Sequence, residues 1–271
     1  MSGVPRLLLI GAGNMGGAML RRWIDTGYPA DRITVVSPSL RSMPPGVTVV
    51  ADIPYDPNDD DPGYDVIMLG VKPQQLSQLR NSDLNAFAPK VLISILAGVE
   101  EETLRGLCNP DAVVRAMPNL PVALGKGVVT LYSSSSDSEA RALVTLLMAP
   151  LGLVEWTDSE ALYSTLGTLD GCGPAFLFRF IDALAKAGEA LGIAPDQAAR
   201  LALATVEGAA AMAAASDATP ATLADRVASP GGSTRQGLNV LDRDDALVKV
   251  MTETLAAAER RGREMAEEAK R

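Results

Sequence analysis

The chain contains no histidine. That absence removes the imidazole general acid used by many dehydrogenases, the His-activated serine or cysteine nucleophile, and most transition-metal sites. There are only two cysteines, Cys108 and Cys172. Two thiols cannot build a disulfide framework or a four-ligand zinc site, so no metal is expected and a reducing, cytoplasmic setting is. Aromatic residues make up 4% of the chain, which leaves the core to Ala, Leu, Val, Ile and Met. Positive charge is also scarce: 24 Lys and Arg stand against 33 Asp and Glu, a formal net charge of -9. Nucleic acid and anionic membrane surfaces are therefore unsuited as partners, because both demand clustered cations. The most apolar helical stretch, from Ala198 to Ala215, carries Arg200 and Glu207 and reads as a buried helix, not a membrane span. Met1 to Pro5 lacks the charged start of a secretory signal.

What is present is apolar substance for a sizeable core: 47% of 271 residues are hydrophobic, enough for two domains. In the first half, strand-like runs are expected at Arg6–Ile10, Arg32–Ser37, Val47–Ala51, Asp65–Val71, Lys90–Leu96, Ala112–Met117 and Gly127–Tyr132. They are apolar along their whole length instead of alternating. Strands of that kind are buried on both faces, which points to a mostly parallel sheet covered by helices. Helical spacing falls between them, at Asn14–Thr26, Gln74–Arg80, Glu100–Leu107 and Asp137–Met148. The Asp- and Pro-rich stretch Asp52–Tyr64 reads as a solvated loop. After Trp156 the strand signal ends. Pro174–Leu191 and Ala199–Ala215 are apolar on nearly every side, more than a small helical domain can bury alone, so a partner subunit is expected. Asp244–Lys270 reads as a last, partly exposed helix. The expected architecture is α/β: a Rossmann-type parallel-sheet domain over residues 1–157, then an all-helical domain over 158–271.

Gly11-Ala12-Gly13-Asn14-Met15-Gly16 follows the first strand and opens a helix, the context in which a G-x-G-x-x-G pattern binds a dinucleotide. The glycines permit a tight turn and close approach of backbone N–H groups to a pyrophosphate, and the helix N-terminus adds partial positive charge. At the end of the second strand an NAD site usually carries Asp or Glu for the ribose 2′-hydroxyl. Here stand Ser37, Pro38, Ser39 and Arg41, which suit a 2′-phosphate and favour NADPH over NADH. Val71-Lys72-Pro73 and Ala97-Gly98 end the fourth and fifth strands, where ligands of open α/β sheets bind; Lys72 is equally readable as a surface lysine. Gly171-Cys172-Gly173-Pro174 reads as the start of the apolar helix or as an interhelix turn. Cys172 has no base beside it and reads as a small packed residue. Ser229-Pro230-Gly231-Gly232-Ser233-Thr234 could hold a carboxylate on its N–H groups and hydroxyls, or serve simply as a helix cap.

Taken together and in order, these segments resemble the Δ1-pyrroline-5-carboxylate reductase family. IGAGNMGGAML from Ile10, DVIMLGVKPQQL from Asp65, LISILAGV from Leu92, RAMPNLP from Arg115, GCGPAF from Gly171 and SPGGSTRQGL from Ser229 carry the resemblance over nearly the whole chain. It implies a Rossmann-type domain, a helical domain that interlocks in a homodimer, and assembly of five dimers into a decamer. It implies NAD(P)H-dependent reduction of a cyclic C=N bond to L-proline. Residue by residue, it implies that Gly11, Gly13, Asn14 and Met15 hold the pyrophosphate, and Ser37 and Arg41 the 2′-phosphate. Val71, Lys72, Pro73, Ala97 and Gly98 would line the cofactor cleft, with Met117, Pro118 and Asn119 near the nicotinamide. Gly231, Gly232, Ser233 and Thr234 would bind the substrate carboxylate, with Thr234 also close to the ring nitrogen.

Two departures stand out. The family usually reads S-G-S-G-P-A before the apolar helix, whereas Asp170 and Cys172 replace both serines here. The new carboxylate either repels an acidic substrate or caps a helix and points away. Two alternatives remain, and a third is argued against. A β-hydroxyacid dehydrogenase would need a lysine that is missing from Ala175–Asp182. A reductase of a different cyclic imine is compatible with the residues, as is a catalytically silent NADP-binding protein.

Overall fold

The computed structural model describes residues 3–39, 43–55 and 63–269, leaving out the side chains of 265, 266, 268 and 269. Arg41 and most of the Asp-rich loop lie outside the described residues. In chain order the elements are β1 (Leu7–Ile10), α1 (Asn14–Asp25), β2 (Ile33–Val36), β3 (Thr48–Val50), β4 (Val66–Leu69), α2 (Leu76–Arg80), β5 (Val91–Ser94), α3 (Glu101–Arg105) and β6 (Ala112–Pro118). They continue with β7 (Gly127–Tyr132), α4 (Ser138–Met148), β8 (Gly152–Thr157), α5 (Glu160–Ala190), α6 (Pro195–Ala214), α7 (Pro220–Val227), α8 (Ser233–Asp242) and α9 (Ala246–Ala269). The chain divides into two compact units, Met1–Cys172 with Glu259–Arg271, and Gly173–Ala258.

The first unit is built on an eight-stranded sheet of order β3-β2-β1-β4-β5-β6-β7-β8. Every neighbouring pair is parallel except β6 with β7. This is the mostly parallel sheet expected from the unbroken apolar runs. Successive side chains of a strand point to opposite faces, and both faces are covered. Leu7 and Leu9 enter one core with Met19, Trp23 and Leu147. Leu8 and Ile10 enter the other with Ile67, Leu69 and Leu104. Trp23 is fully buried, and its Nε1–H donates to the Leu147 carbonyl at 2.7 Å, tying α1 to α4.

Two expectations need correction. β8 is an additional strand, pairing with β7 from Gly127↔Gly152 to Tyr132↔Thr157. It is an edge strand with Leu153 and Glu155 exposed and Val154 and Trp156 turned inward, so its weak alternation did not match the continuous runs of the central strands. The second correction concerns Pro174. It neither starts a helix nor sits in a turn; it lies inside the continuous 31-residue helix α5. Proline has no N–H to give the carbonyl four residues back, which here is that of Asp170. That carbonyl instead accepts from Asn119 Nδ2 at 3.0 Å, so the helix runs on without a buried orphan acceptor.

The second unit is all helical. Its buried core is small, made of Ala185, Ala198 and Ala202 with Ile181 against them. Large apolar side chains remain outside it, among them Phe178 at 61% and Leu191 at 87% exposure. Single apolar residues at a surface are ordinary, but a concentration of this kind marks an association face. Among the described residues, no helix is long and apolar enough to cross a membrane.

Candidate active site

The turn after β1 is fixed by backbone geometry. Gly11 has φ +90°, and a β-carbon there would lie 2.9 Å from Gly70 and Val71. Its N–H donates to Val36 O at 3.0 Å, closing the turn onto β2. Gly13 differs: it is the N-cap of α1 with extended backbone, and a β-carbon there would meet nothing within 4 Å. The space that a side chain would fill at Gly13 is thus open toward the carboxyl edge of the sheet. No side chain caps α1 and no acidic residue sits in its first turn. The first N–H groups, those of Asn14 and Met15 included, are left for an external acceptor, and the helix dipole favours an anion there.

This turn opens on a cavity of about 490 Å³ that Gly11, Gly13, Ser37, Ser39 and Val71 help to line. Ser37, 7% exposed, closes β2; its Oγ lies 3.4 Å from that of Ser39. Backbone donors, an open cradle and hydroxyls at the end of β2 together fit a dinucleotide with a 2′-phosphate. Several lining residues escaped sequence reasoning: Asp52 and Ile53 after β3, and Gln75, Gln78, Ser82 and Asp83 around α2. Gln75, Gln78 and Ser82 share a helix-like spacing after Pro73, the one signal in the sequence that points to them. Lys72 is exposed, and its backbone N–H donates to Gln75 Oε1 at 3.1 Å. Pro73 opens the short turn into α2, whereas Ala97 and Gly98 follow β5 on the same edge.

Further along that edge, the face of β6 and β7 formed by Arg115, Met117, Thr130 and Tyr132 is covered by the first half of α5. Arg115 pairs with Glu160 at 2.6 Å, and its guanidinium stacks over the Tyr163 ring at 4.6 Å. Met117 packs against Gly167, where a β-carbon would approach its Cγ to 3.2 Å. Thr130 Oγ1 donates to Asp170 Oδ2. Residues 160, 163, 167 and 170 recur at three- and four-residue steps, one stripe of a helix. Asn119 is 6% exposed and fully engaged: its Oδ1 accepts from Val128 N–H at 2.9 Å while Nδ2 serves Asp170 O.

In the second unit, Gly231 and Gly232 turn the chain into α8, with Gly232 as its N-cap. Gly232 N–H donates to Ser229 O at 3.0 Å. Ser233 and Thr234 form the exposed first turn, and no side chain caps the helix and no acid sits in its first turn. The cap is a glycine, which has no side-chain oxygen to accept from the helix, so the first N–H groups of α8 also remain available to an anion.

Residues 160–265 match the profile described as pyrroline-5-carboxylate reductase dimerisation, and residues 6–98 that of NADP oxidoreductase, coenzyme F420-dependent. The pyrroline-5-carboxylate reductase of Pseudomonas aeruginosa is 35% identical over 97% of this chain and 98% of its own. The enzyme of Pisum sativum is 32% identical over 93% of each. Among solved structures, a pyrroline-5-carboxylate reductase from Coxiella burnetii superposes with a TM-score of 0.82 at 31% identity, covering 97% of this chain and 98% of that one. The Plasmodium falciparum pyrroline carboxylate reductase with NADP bound gives 0.78 at 25% identity, over 97% and 98%.

The chain belongs to the pyrroline-5-carboxylate reductase family.

Membership makes it an NADP-linked oxidoreductase acting on an imine, and its C-terminal part carries the dimerisation domain of pyrroline-5-carboxylate reductases, so it associates with copies of itself. The departures from the family pattern acquire a physical meaning. Asp170 is not a helix cap, since it sits in the middle of α5. Its carboxyl turns toward β7, and its Oδ1 is buried with no hydrogen-bond partner. Burial raises the Asp170 carboxyl above the ordinary carboxylate range, against the lowering pull of the Thr130 hydroxyl and of N–H groups at 170 and 171. Cys172 is half-buried, and the buried Cys108 thiol is pushed up to about 11 by desolvation, an unreactive structural group.

Proposed function

We propose that this chain reduces Δ1-pyrroline-5-carboxylate to L-proline with NADPH, the last step of proline formation. The observation that carries the reading is the uncapped start of α1, with open space at Gly13, facing a cavity to which the end of β2 contributes Ser37 instead of a carboxylate. When bound, NADPH supplies the hydride that reduces the imine carbon.

The chain's own residues bind and orient. Gly11 shapes the turn on which the diphosphate rests, backbone N–H groups of Gly13, Asn14 and Met15 receive it, and Ser37 with Arg41 the 2′-phosphate. Val71, Lys72, Pro73, Ala97, Gly98 and Asn119 border the path of the cofactor along the carboxyl edge. Asn119 acts there through its position, because both ends of its amide serve the protein. Gly231, Gly232, Ser233 and Thr234 grip the substrate carboxylate at the start of α8, and the Thr234 hydroxyl orients the ring nitrogen. A protonated imine is already a strong electrophile, so positioning accounts for most of the required acceleration and no histidine is needed.

Residues 1–157 form the cofactor-binding domain and 158–271 the substrate-binding and dimerisation domain. The apolar helices of the latter are buried in a homodimer, five of which form a decamer, in the cytoplasm. The test is NADPH consumption with pyrroline-5-carboxylate, beside a six-membered cyclic imino acid. Turnover specific to the five-membered ring is expected. Thr234→Ala should lower turnover while leaving NADPH affinity near normal. Reduction of the larger ring alone, or no oxidation of NADPH with either, would overturn the reading.

A further inference from the structure

We infer that Asp170 is a positioning residue for the reduction: with Thr130 and Asn119 it clasps the Met117–Asn119 end of β6 to α5, and thereby fixes the wall beside the reacting end of the cofactor. This rests on the reading above. The cavity at β1 and β2 takes the adenosine end, and the sheet order then carries an extended dinucleotide past β4 and β5 toward β6, all of which end on the same edge. Neighbouring strands are about 4.8 Å apart, so each strand crossed moves the ligand by that much. The end of β6 is where the clasp closes.

Three contacts make the clasp, and they reach different parts of one residue. Asn119 Nδ2 fills the carbonyl of Asp170 that Pro174 leaves without its helical donor. Thr130, 1% exposed and paired across the sheet with Met117, holds the carboxyl. Met117 itself lodges at Gly167 on the same helix. The remaining carboxyl oxygen is buried and unpartnered.

The carboxyl state matters because the cation nearest the cluster is already spoken for. Around it stand Arg115 from β6, Glu160 and Tyr163 from α5, and Tyr132 from β7 with Glu101 beyond it. Arg115 is engaged by Glu160. Ionised, Asp170 therefore holds a charge among groups that offer it little compensation. Neutral, it still accepts from Thr130 and leaves no buried charge to compensate. Its acid range is raised on folding, so the stabilisation is complete below the ordinary carboxylate range and is lost as pH rises through the shifted value.

The experiment uses the full-length protein and two ligands, NADPH and 2′,5′-ADP, which lacks the reacting ring. Asp170→Ala and Thr130→Val should weaken NADPH binding roughly three- to tenfold, the worth of one hydrogen bond, with 2′,5′-ADP binding unchanged. Asp170→Asn keeps size and hydrogen bonding without titrating. It should bind NADPH as the native protein does, and its melting temperature should gain on the native one as pH rises. Equal weakening of both ligands, unchanged NADPH binding in Asp170→Ala and Thr130→Val, or a pH-independent gap for Asp170→Asn would each overturn the clasp. Loss of 2′,5′-ADP binding by the native protein would instead overturn the cofactor reading itself.

Discussion

Replacing Gly13 by alanine separates cofactor binding from folding. The backbone there is extended, with φ -70° and ψ -156°, so alanine fits without strain. Its β-carbon would have no neighbour within 4 Å. Alanine is a poorer helix cap than glycine, a cost of up to about 1 kcal/mol, and a less flexible unfolded chain returns about 0.4–1 kcal/mol. The two nearly cancel, and the melting temperature should stay within about 3 °C of the native value. The methyl group, however, occupies the side from which a diphosphate must approach the N–H groups of α1. Losing one or two charge-assisted hydrogen bonds at about 1.5–3 kcal/mol each should raise the NADPH dissociation constant by roughly tenfold or more. Gly11→Ala is the contrast: at φ +90°, with Gly70 and Val71 at 2.9 Å, it should lose stability as well, by about 2 kcal/mol or more. Thermal melting and isothermal titration with NADPH check both. If Gly13→Ala binds NADPH within threefold of the native protein, the diphosphate does not lie on this turn and the reasoning fails.

Ser37→Asp places a carboxylate at the end of β2, where the cavity is lined by hydroxyls; NADPH affinity should drop by roughly tenfold or more and NADH affinity rise, read by titration with both. Trp23→Phe removes the 2.7 Å bond to Leu147 O and should cost about 1–3 kcal/mol in chemical denaturation, with NADPH affinity unchanged. Asp65 is pushed up by partial burial, but the hydrogen bond from Lys90 at 2.9 Å and the Arg6 N–H outweigh this and hold its carboxyl below the ordinary range. Its stabilisation is present above that range and is lost as pH falls through the lowered value. Asp65→Asn should therefore destabilise at neutral pH and converge with the native protein in acid, as pH-dependent melting would show.

Much of the first unit was legible in the sequence because its signals are local. A strand buried on both faces must be apolar at consecutive positions, so Leu7–Ile10, Val66–Leu69 and Val91–Ser94 identify themselves. The glycine turn is equally local: its spacing and its place between strand and helix suffice. β8 was not legible, because an edge strand half exposed to solvent has no need of a continuous run. Nor were Gln78, Ser82 and Asp83 as cavity walls, since only the packing of α2 brings them there.

The doubly covered sheet, the dinucleotide turn at its edge and the want of a carboxylate at the end of β2 all follow from residue type at short spacing. What Pro174, Asn119 and Asp170 do depends instead on which distant groups the fold brings beside them. A proline after Gly-Cys-Gly reads locally as a helix start. It becomes a helix-interior residue because an amide 51 positions away from Asp170 supplies the missing donor. Hydrogen-bond satisfaction in a buried place is settled by whichever groups folding brings within 3 Å, and that distance is not written in the order of the residues.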